Sequence, residues 1–142
     1  MATSSERGSR TFDRRERRGA IWTGRALSGV VVLFLLFDAI GKVIMPPPVM
    51  EAFLRLGIET RLGSTLAALM ILSALIYAIP WTNVLGAVMI TGYLGGAVAI
   101  HLRAGSTLFE TIFPVLLGTM AWAGIVLRDR RLQSLLPFRM IS

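Results

Sequence analysis

The stretch from Val84 to Leu102, VLGAVMITGYLGGAVAIHL, has 19 residues and contains no Asp, Glu, Lys or Arg. An α-helix rises about 1.5 Å per residue, so a helix of this length crosses the roughly 30 Å hydrocarbon core of a bilayer. Three more stretches are of the same kind: Ala26–Met45, Leu62–Ile79 and Leu108–Leu127. Because a backbone in lipid must satisfy its own hydrogen bonds, the four stretches predict an all-α fold, a four-helix transmembrane bundle.

The composition agrees with a protein whose main partner is the lipid bilayer. Hydrophobic residues make up 54% of the chain and charged residues 16%, and the mean hydropathy is +0.68. A soluble domain of this size needs more polar surface, so an ordinary cytosolic enzyme is excluded. The net charge of +7 does not predict a nucleic-acid partner, because the basic residues do not lie on an element that could enter a groove.

The charges lie mainly at the two ends of the chain. Seven of the fifteen basic residues fall in the first 25 positions, among Ser, Gly and Glu. This composition predicts a disordered basic tail over residues 1–25, a membrane domain over 26–128 and a short basic tail over 129–142.

The distribution of arginines predicts the orientation. Eleven arginines lie in the two tails, at the start of the first span or just after the fourth, and three lie in the loops on the other side. Loops on the cytoplasmic side carry the excess of Lys and Arg. Both tails, and with them both termini, are therefore predicted to be cytoplasmic.

The loop between the first and second spans begins with PPPVMEAFLRLG, residues 46–57. The three prolines end the first helix. Val49, Met50 and Phe53 then recur at helical spacing against the charged Glu51 and Arg55. This pattern predicts a short amphipathic helix on the outer membrane surface; the alternative is an apolar loop.

The first span contains two opposite charges, Asp38 and Lys42, four residues apart and so on one face of the helix. Ionisable residues inside a membrane span are candidate functional residues by default. One interpretation is a proton or ligand pathway. The other is an ion pair that holds the first helix against its neighbours.

Further polar residues are predicted near the same, outer side of the membrane. Tyr93 lies within the third span and needs a partner for its hydroxyl group or a ligand. The other members of this outer-side site are the pair in the first span, the end of the third span and the start of the fourth: Asp38, Lys42, His101, Arg103 and Glu110. The group would line a pocket for a polar headgroup, or else form an ordinary solvated rim.

The third span also contains closely spaced glycines. Gly92 and Gly96 form a GxxxG motif, and Gly95 lies on a neighbouring ridge of small residues. Small residues let helices approach closely where lipid provides no hydrophobic driving force. We therefore expect this helix to pack tightly through Gly92, Gly95 and Gly96, inside the bundle or at a dimer interface.

The chain contains no cysteine and a single histidine, His101. Thiolate ligands, disulfides and a metal site with several histidines within one chain are thereby excluded. The sequence predicts no metal site and no built-in cofactor ligands. Redox chemistry would have to come from a bound cofactor or a partner subunit.

Long stretches of the chain resemble a known family. These stretches are GRALSGVVVLFLLFDAIGKVI, PPPVMEAFLRLG, LIYAIPWTNVLGAVMITGYLGGAVAIHLR and FPVLLGTMAWAGIVLRDRRLQSLLP. The tightest part is YxIPxTxVLGAxxxTGYLGGAxAxHxR, from Tyr77 to Arg103. With these motifs the chain resembles the DoxX-like family of small four-helix bacterial membrane proteins, over about four fifths of its length.

The resemblance implies a multi-pass protein of the bacterial inner membrane. It also implies an accessory or anchor subunit for redox metabolism, with a redox protein as partner and a quinone as ligand. Family members often carry a glutamate in the second helix, where this chain has Met70, so a role of that glutamate does not transfer. Two alternatives stay open: a structural or assembly protein, including a homo-oligomer, and a small transporter or proton pathway.

Overall fold

The computed structural model describes residues 4–129 and residue 132, with side chains from residue 18 onward. The helices are α1 (Ser4–Ile44), α2 (Pro47–Leu56), α3 (Gly63–Ala78), α4 (Asn83–Arg103) and α5 (Leu108–Val126), with a 3-10 turn, Thr60–Leu62, before α3. The described part of the chain contains no strand. The predicted all-α fold is confirmed.

Four helices are long and apolar enough to cross a membrane, over Arg18–Ile44, Thr60–Ala78, Asn83–Arg103 and Leu108–Val126. In the most apolar part of each, only 22–33% of the residues are buried inside the protein. The remaining apolar side chains face outward, which is the surface that a hydrocarbon solvent requires. The four predicted spans are confirmed, with boundaries that differ by a few residues in the last three.

The four long helices form a ring. Helices α1 and α4 each pack against both α3 and α5, so they occupy opposite corners. We call the end of the bundle that carries α2 the α2 end, and the other the termini end. The core is formed by one face of each long helix: Val31, Leu35, Ala39, Ala67, Met70, Ala74, Tyr77, Ala87, Ile90, Leu94, Leu117, Ala121 and Ile125.

Helix α1 is longer than its transmembrane part. It begins at Ser4, which is 22 residues before the predicted start of the span at Ala26, whereas composition predicts an unfolded tail there. The segment contains no proline and many arginines, and arginine is a good helix former. The predicted C-terminal tail, residues 129–142, lies outside the described residues except for Asp129 and Leu132.

Helix α2 occupies the predicted place between the first two spans. Pro47 lies in its first turn, where the missing N–H is no loss. Gly57 ends the helix with a left-handed backbone, φ +67°, and its N–H bonds to the Leu54 carbonyl. Phe53 is the buried residue of this helix. The position of α2 on the membrane surface stays a prediction.

The backbones of α3 and α4 come into close contact at Gly86. A methyl group at this position would overlap the backbone N and Cα of Tyr77. Helices α1 and α5 also meet through small residues, since a methyl group at Gly124 would overlap the hydroxyl of Ser28. Close backbone contact in this bundle therefore depends on single glycines.

Candidate functional site

The two charges of the first span form an ion pair. Lys42 Nζ donates a hydrogen bond to Asp38 Oδ2, one helical turn away. The Lys42 side chain is 14% exposed and that of Asp38 38%, so the lysine side chain is the more enclosed of the two. Mutual neutralisation makes such burial tolerable. The pair offers one hydrogen-bond donor group and one proton acceptor within a membrane span.

Tyr93 lies on α4, at the opposite corner of the four-helix ring. Its side chain is half-buried against the core and lies within electrostatic range of the Asp38 carboxylate. Phe34 lies one turn before Asp38 on α1 and contacts Phe113 of α5 edge to face, with ring centroids 5.1 Å apart. We call Asp38, Lys42 and Tyr93 the interior polar site; these aromatic rings lie beside its α1 side.

The other three predicted site residues are engaged elsewhere, at the α2 end. His101, in the last turn of α4, has its Nδ1 3.0 Å from the hydroxyl of Ser106 in the α4–α5 loop. Arg103 Nη2 donates to the carbonyl of Leu56 over 2.9 Å. Glu110 caps the start of α5 by reciprocal hydrogen bonds with Thr107. Helix ends leave backbone groups without partners; Arg103 provides a partner at the end of α2, and Glu110 provides one at the start of α5.

Two arginine contacts fasten α2 to the ends of its neighbours. Arg55 Nη2 of α2 lies 2.5 Å from Glu110 Oε1 at the start of α5. Arg103, at the end of α4, holds the last residue of α2 through the Leu56 carbonyl. The polar residues at this end thus serve at least in part to hold α2 across the bundle.

A second polar cluster, at the termini end, is not predicted from the sequence. The Tyr77 hydroxyl donates to the carbonyl of Ala121 over 2.8 Å and lies 2.8 Å from the Ser28 hydroxyl. Tyr77 is 1% exposed, so its hydroxyl joins α3 to both α1 and α5 in the dry interior. Each such bond contributes about 0.5–1.5 kcal/mol. The available signal was a tyrosine in an otherwise apolar helix, which requires a partner.

Arg128 lies beside this cluster. Its Nε donates to the Gly124 carbonyl over 2.9 Å, and its charge interacts with Tyr77. Its Nη2 is buried without a hydrogen-bond partner in the described part of the chain. The guanidinium of Arg128 thus lies where α5 ends, and a cation there interacts favourably with the partial negative charge of the helix C-terminus.

An apolar layer separates the interior polar site from the Tyr77 cluster. Val31, Leu35, Met70, Ile90 and Leu117 fill it, and all are buried. The hydroxyl of Ser73, at a similar level, donates to a carbonyl of its own helix, that of Leu69. The described side chains therefore provide no continuous polar path through the bundle.

The glycines of the third span lie on the outside of the bundle. A methyl group at Gly92, Gly95 or Gly96 would meet no atom of another helix within 4 Å. Helix α4 packs instead through Gly86, Ala87, Ile90 and Leu94. Of the two packing roles expected for the glycines, only contact with another molecule is compatible with this position.

The sequence model of the DoxX-like family matches residues 26–124, which cover all four spans except the ends of the first and the last. The chain belongs to the DoxX-like family. With four long apolar helices, this DoxX-like chain is a multi-pass membrane protein. The searches of curated proteins and of solved structures returned no significant match.

Two features of the bundle interior bear on the chemical groups available to this DoxX-like protein. Met70 of the second span is an apolar residue, 2% exposed within the core. Among the described residues, no three His, Asp or Glu side chains are grouped as a metal ion would require. The ionisable side chains of the interior polar site are Asp38, Lys42 and Tyr93, while Tyr77 and Arg128 belong to the second cluster.

Proposed function

We propose that this protein is an accessory or anchor subunit of redox metabolism that binds the headgroup of a quinone at the interior polar site. One observation carries the proposal: the Lys42–Asp38 ion pair lies inside a membrane span, with its side chains 14% and 38% exposed, and within electrostatic range of the Tyr93 phenol. Intramembrane ionisable groups of this kind usually mark a ligand or ion pathway.

The three side chains match the chemistry of a quinone headgroup. A quinone has carbonyl oxygens that accept hydrogen bonds, and Lys42 and Tyr93 both carry donors. Its reduced form has hydroxyl groups, which can donate hydrogen bonds to the carboxylate of Asp38. The rings of Phe34 and Phe113 supply an apolar aromatic wall on one side of the site. When bound, the quinone would supply the electron-carrying chemistry.

The chain's own residues supply hydrogen bonding and proton exchange. With no cysteine and one histidine in the full sequence, electrons would reach the quinone through a redox protein partner. The apolar layer of Val31, Leu35 and Met70 speaks against the alternative of a proton pathway across the bundle. The alternative of an assembly protein without a ligand is separated from our proposal by the quinone assay below.

We propose the bacterial inner membrane as the location, with both termini in the cytoplasm. The support is the excess of eleven arginines near the two tails over three in the opposite loops. In this orientation α2 and the α4–α5 loop lie on the outer side.

Labelling of single cysteines tests the orientation. The natural chain has no cysteine, so Ser4→Cys and Ser106→Cys each introduce one thiol. A membrane-impermeant maleimide should label the second variant in intact cells and the first only after the membrane is opened. Labelling of both from outside would refute the proposed topology.

Quinone retention tests the proposed function, and two tyrosines give a matched pair of variants. Tyr93→Phe removes a hydroxyl from the interior polar site, whereas Tyr77→Phe removes one from the other cluster. We expect quinone to co-purify with the wild type in mild detergent and Tyr93→Phe to retain about tenfold less, since a hydrogen bond is worth about 1 kcal/mol or more. Quinone content should be measured by solvent extraction and mass spectrometry.

The control should lose stability but not ligand. Tyr77→Phe should lower the unfolding temperature, because it leaves the Ala121 carbonyl without its donor, while its quinone content stays at the wild-type level. Absence of quinone from the wild type, with and without added short-chain quinone, would refute the proposal. Equal losses of quinone in Tyr93→Phe and Tyr77→Phe would refute the placement of the site.

A further inference from the structure

An open groove of about 550 Å³ lies on the outside of the bundle, at the α2 end between α3 and α4. Its rim carries Arg61 and Arg103, and its wall is formed by Leu62, Leu66, Ala99 and Ile100. A charged rim above an apolar wall is the arrangement that suits an amphipathic ligand.

The rim is positively charged on balance. Two arginines and one acid, Glu59, line it, which leaves a net charge of 2 − 1 = +1. Arg61 Nε bonds to Glu59 Oε2, and the Arg61 side chain is 80% exposed. Arg103 uses Nη2 for the Leu56 carbonyl. Because a guanidinium has five N–H donors, both arginines keep donors for an anion.

An exposed strip of small residues, which we call the trough, continues from this rim along α4. Gly92, Gly96, Ala99 and Arg103 follow one another at intervals of four, three and four residues, so they share one face of the helix. No atom of another helix lies within 4 Å of a methyl group placed at either glycine. From Gly92 to Arg103 the trough is about 16 Å long, close to the roughly 15 Å depth of one leaflet.

We propose that this groove and trough bind one anionic phospholipid. The phosphate is held by Arg61 and Arg103, and an acyl chain lies along Ala99, Gly96 and Gly92. Charge decides between this occupant and a second copy of the chain. A symmetric parallel dimer through the same face would bring Arg103 of one copy opposite Arg103 of the other, and like charges repel. A phosphate instead neutralises the rim.

Native mass spectrometry in detergent tests the site with two lipids, phosphatidylglycerol and phosphatidylcholine. The wild type should retain phosphatidylglycerol selectively. Arg61→Gln should weaken its binding about tenfold, the value of one charge-assisted hydrogen bond. Gly96→Leu should do the same by filling the trough. The matched controls are Arg25→Gln, an exposed arginine on α1, and Gly29→Leu, an exposed glycine with no atom within 4 Å; both should bind like the wild type.

Each outcome decides for or against the lipid. Equal retention of both lipids by the wild type, or binding unchanged in Arg61→Gln and Gly96→Leu, would overturn the proposal. A wild-type dimer that Gly96→Leu converts to a monomer would assign the trough to a second copy. Arg61 lies outside the interior polar site, and its side chain is 80% exposed and bonds to Glu59, so Arg61→Gln should keep its unfolding temperature and its quinone content. The two proposals therefore fail independently.

Discussion

Replacing Gly86 by alanine should destabilise the bundle by about 3 kcal/mol or more, the upper range for overpacking of a close contact. The added methyl group would overlap the backbone N and Cα of Tyr77, and backbone cannot move aside as the end of a flexible side chain can. Helices α3 and α4 would have to separate, which would also disturb the hydrogen bonds of the Tyr77 hydroxyl. Thermal unfolding in mild detergent measures the loss.

Gly92→Ala is the matched control, since it adds the same group to the same helix. No atom of another helix lies within 4 Å of that position, and alanine favours a helix by about 1 kcal/mol over glycine. The control should therefore unfold at the wild-type temperature or slightly above it. Equal destabilisation by both variants would contradict the packing described for α4.

The contrast between Gly86 and Gly92 shows where sequence reasoning reaches its limit in this protein. The GxxxG motif of Gly92 and Gly96 predicts close packing, yet both residues lie outside the bundle, and the close contact is at Gly86. In a soluble helix the apolar stripe marks the buried face. In these spans every face is apolar, so periodicity does not tell the core from the lipid-facing side.

The length of the apolar stretches is sufficient to predict the four-helix fold. Four runs of about 20 residues predict four spans, and prolines 46–48 predict the break before α2. Neither prediction requires knowledge of which faces meet. The structure of the positively charged segment of α1 before Ala26 is harder to predict, because its composition is typical both of a disordered tail and of a solvated helix.

In the candidate sites, contacts between residues close in sequence can be predicted, whereas contacts between distant residues cannot. The Asp38–Lys42 pair follows from a spacing of four residues on one helix, and the structure contains it. The partners of Tyr77 are 49 and 44 residues away, on α1 and α5. Contacts of that kind depend on how the helices are arranged in the ring, which one sequence does not specify.

Removal of one member of the Asp38–Lys42 pair should have the second large effect. Lys42→Met leaves the carboxylate of Asp38 either as an uncompensated charge in a membrane span or as a protonated acid, and both are unfavourable. We expect a loss of about 2–3 kcal/mol, below the range for fully buried pairs because the Asp38 side chain is 38% exposed. The double variant Asp38→Asn with Lys42→Met removes both charges and should be less damaging than Lys42→Met alone.

A double-mutant cycle on thermal unfolding measures the coupling between the two charges, with Glu59 and Arg61 as the matched pair. That pair is also an ion pair, but its side chains are 61% and 80% exposed, so its coupling should be close to zero. Strictly additive losses at Asp38 and Lys42 would refute the coupling and the enclosed position of the pair. Quinone content of the double variant then separates two roles. If the pair only holds α1 in place, the folded double variant keeps its quinone; if the pair binds the headgroup, the double variant folds and loses it.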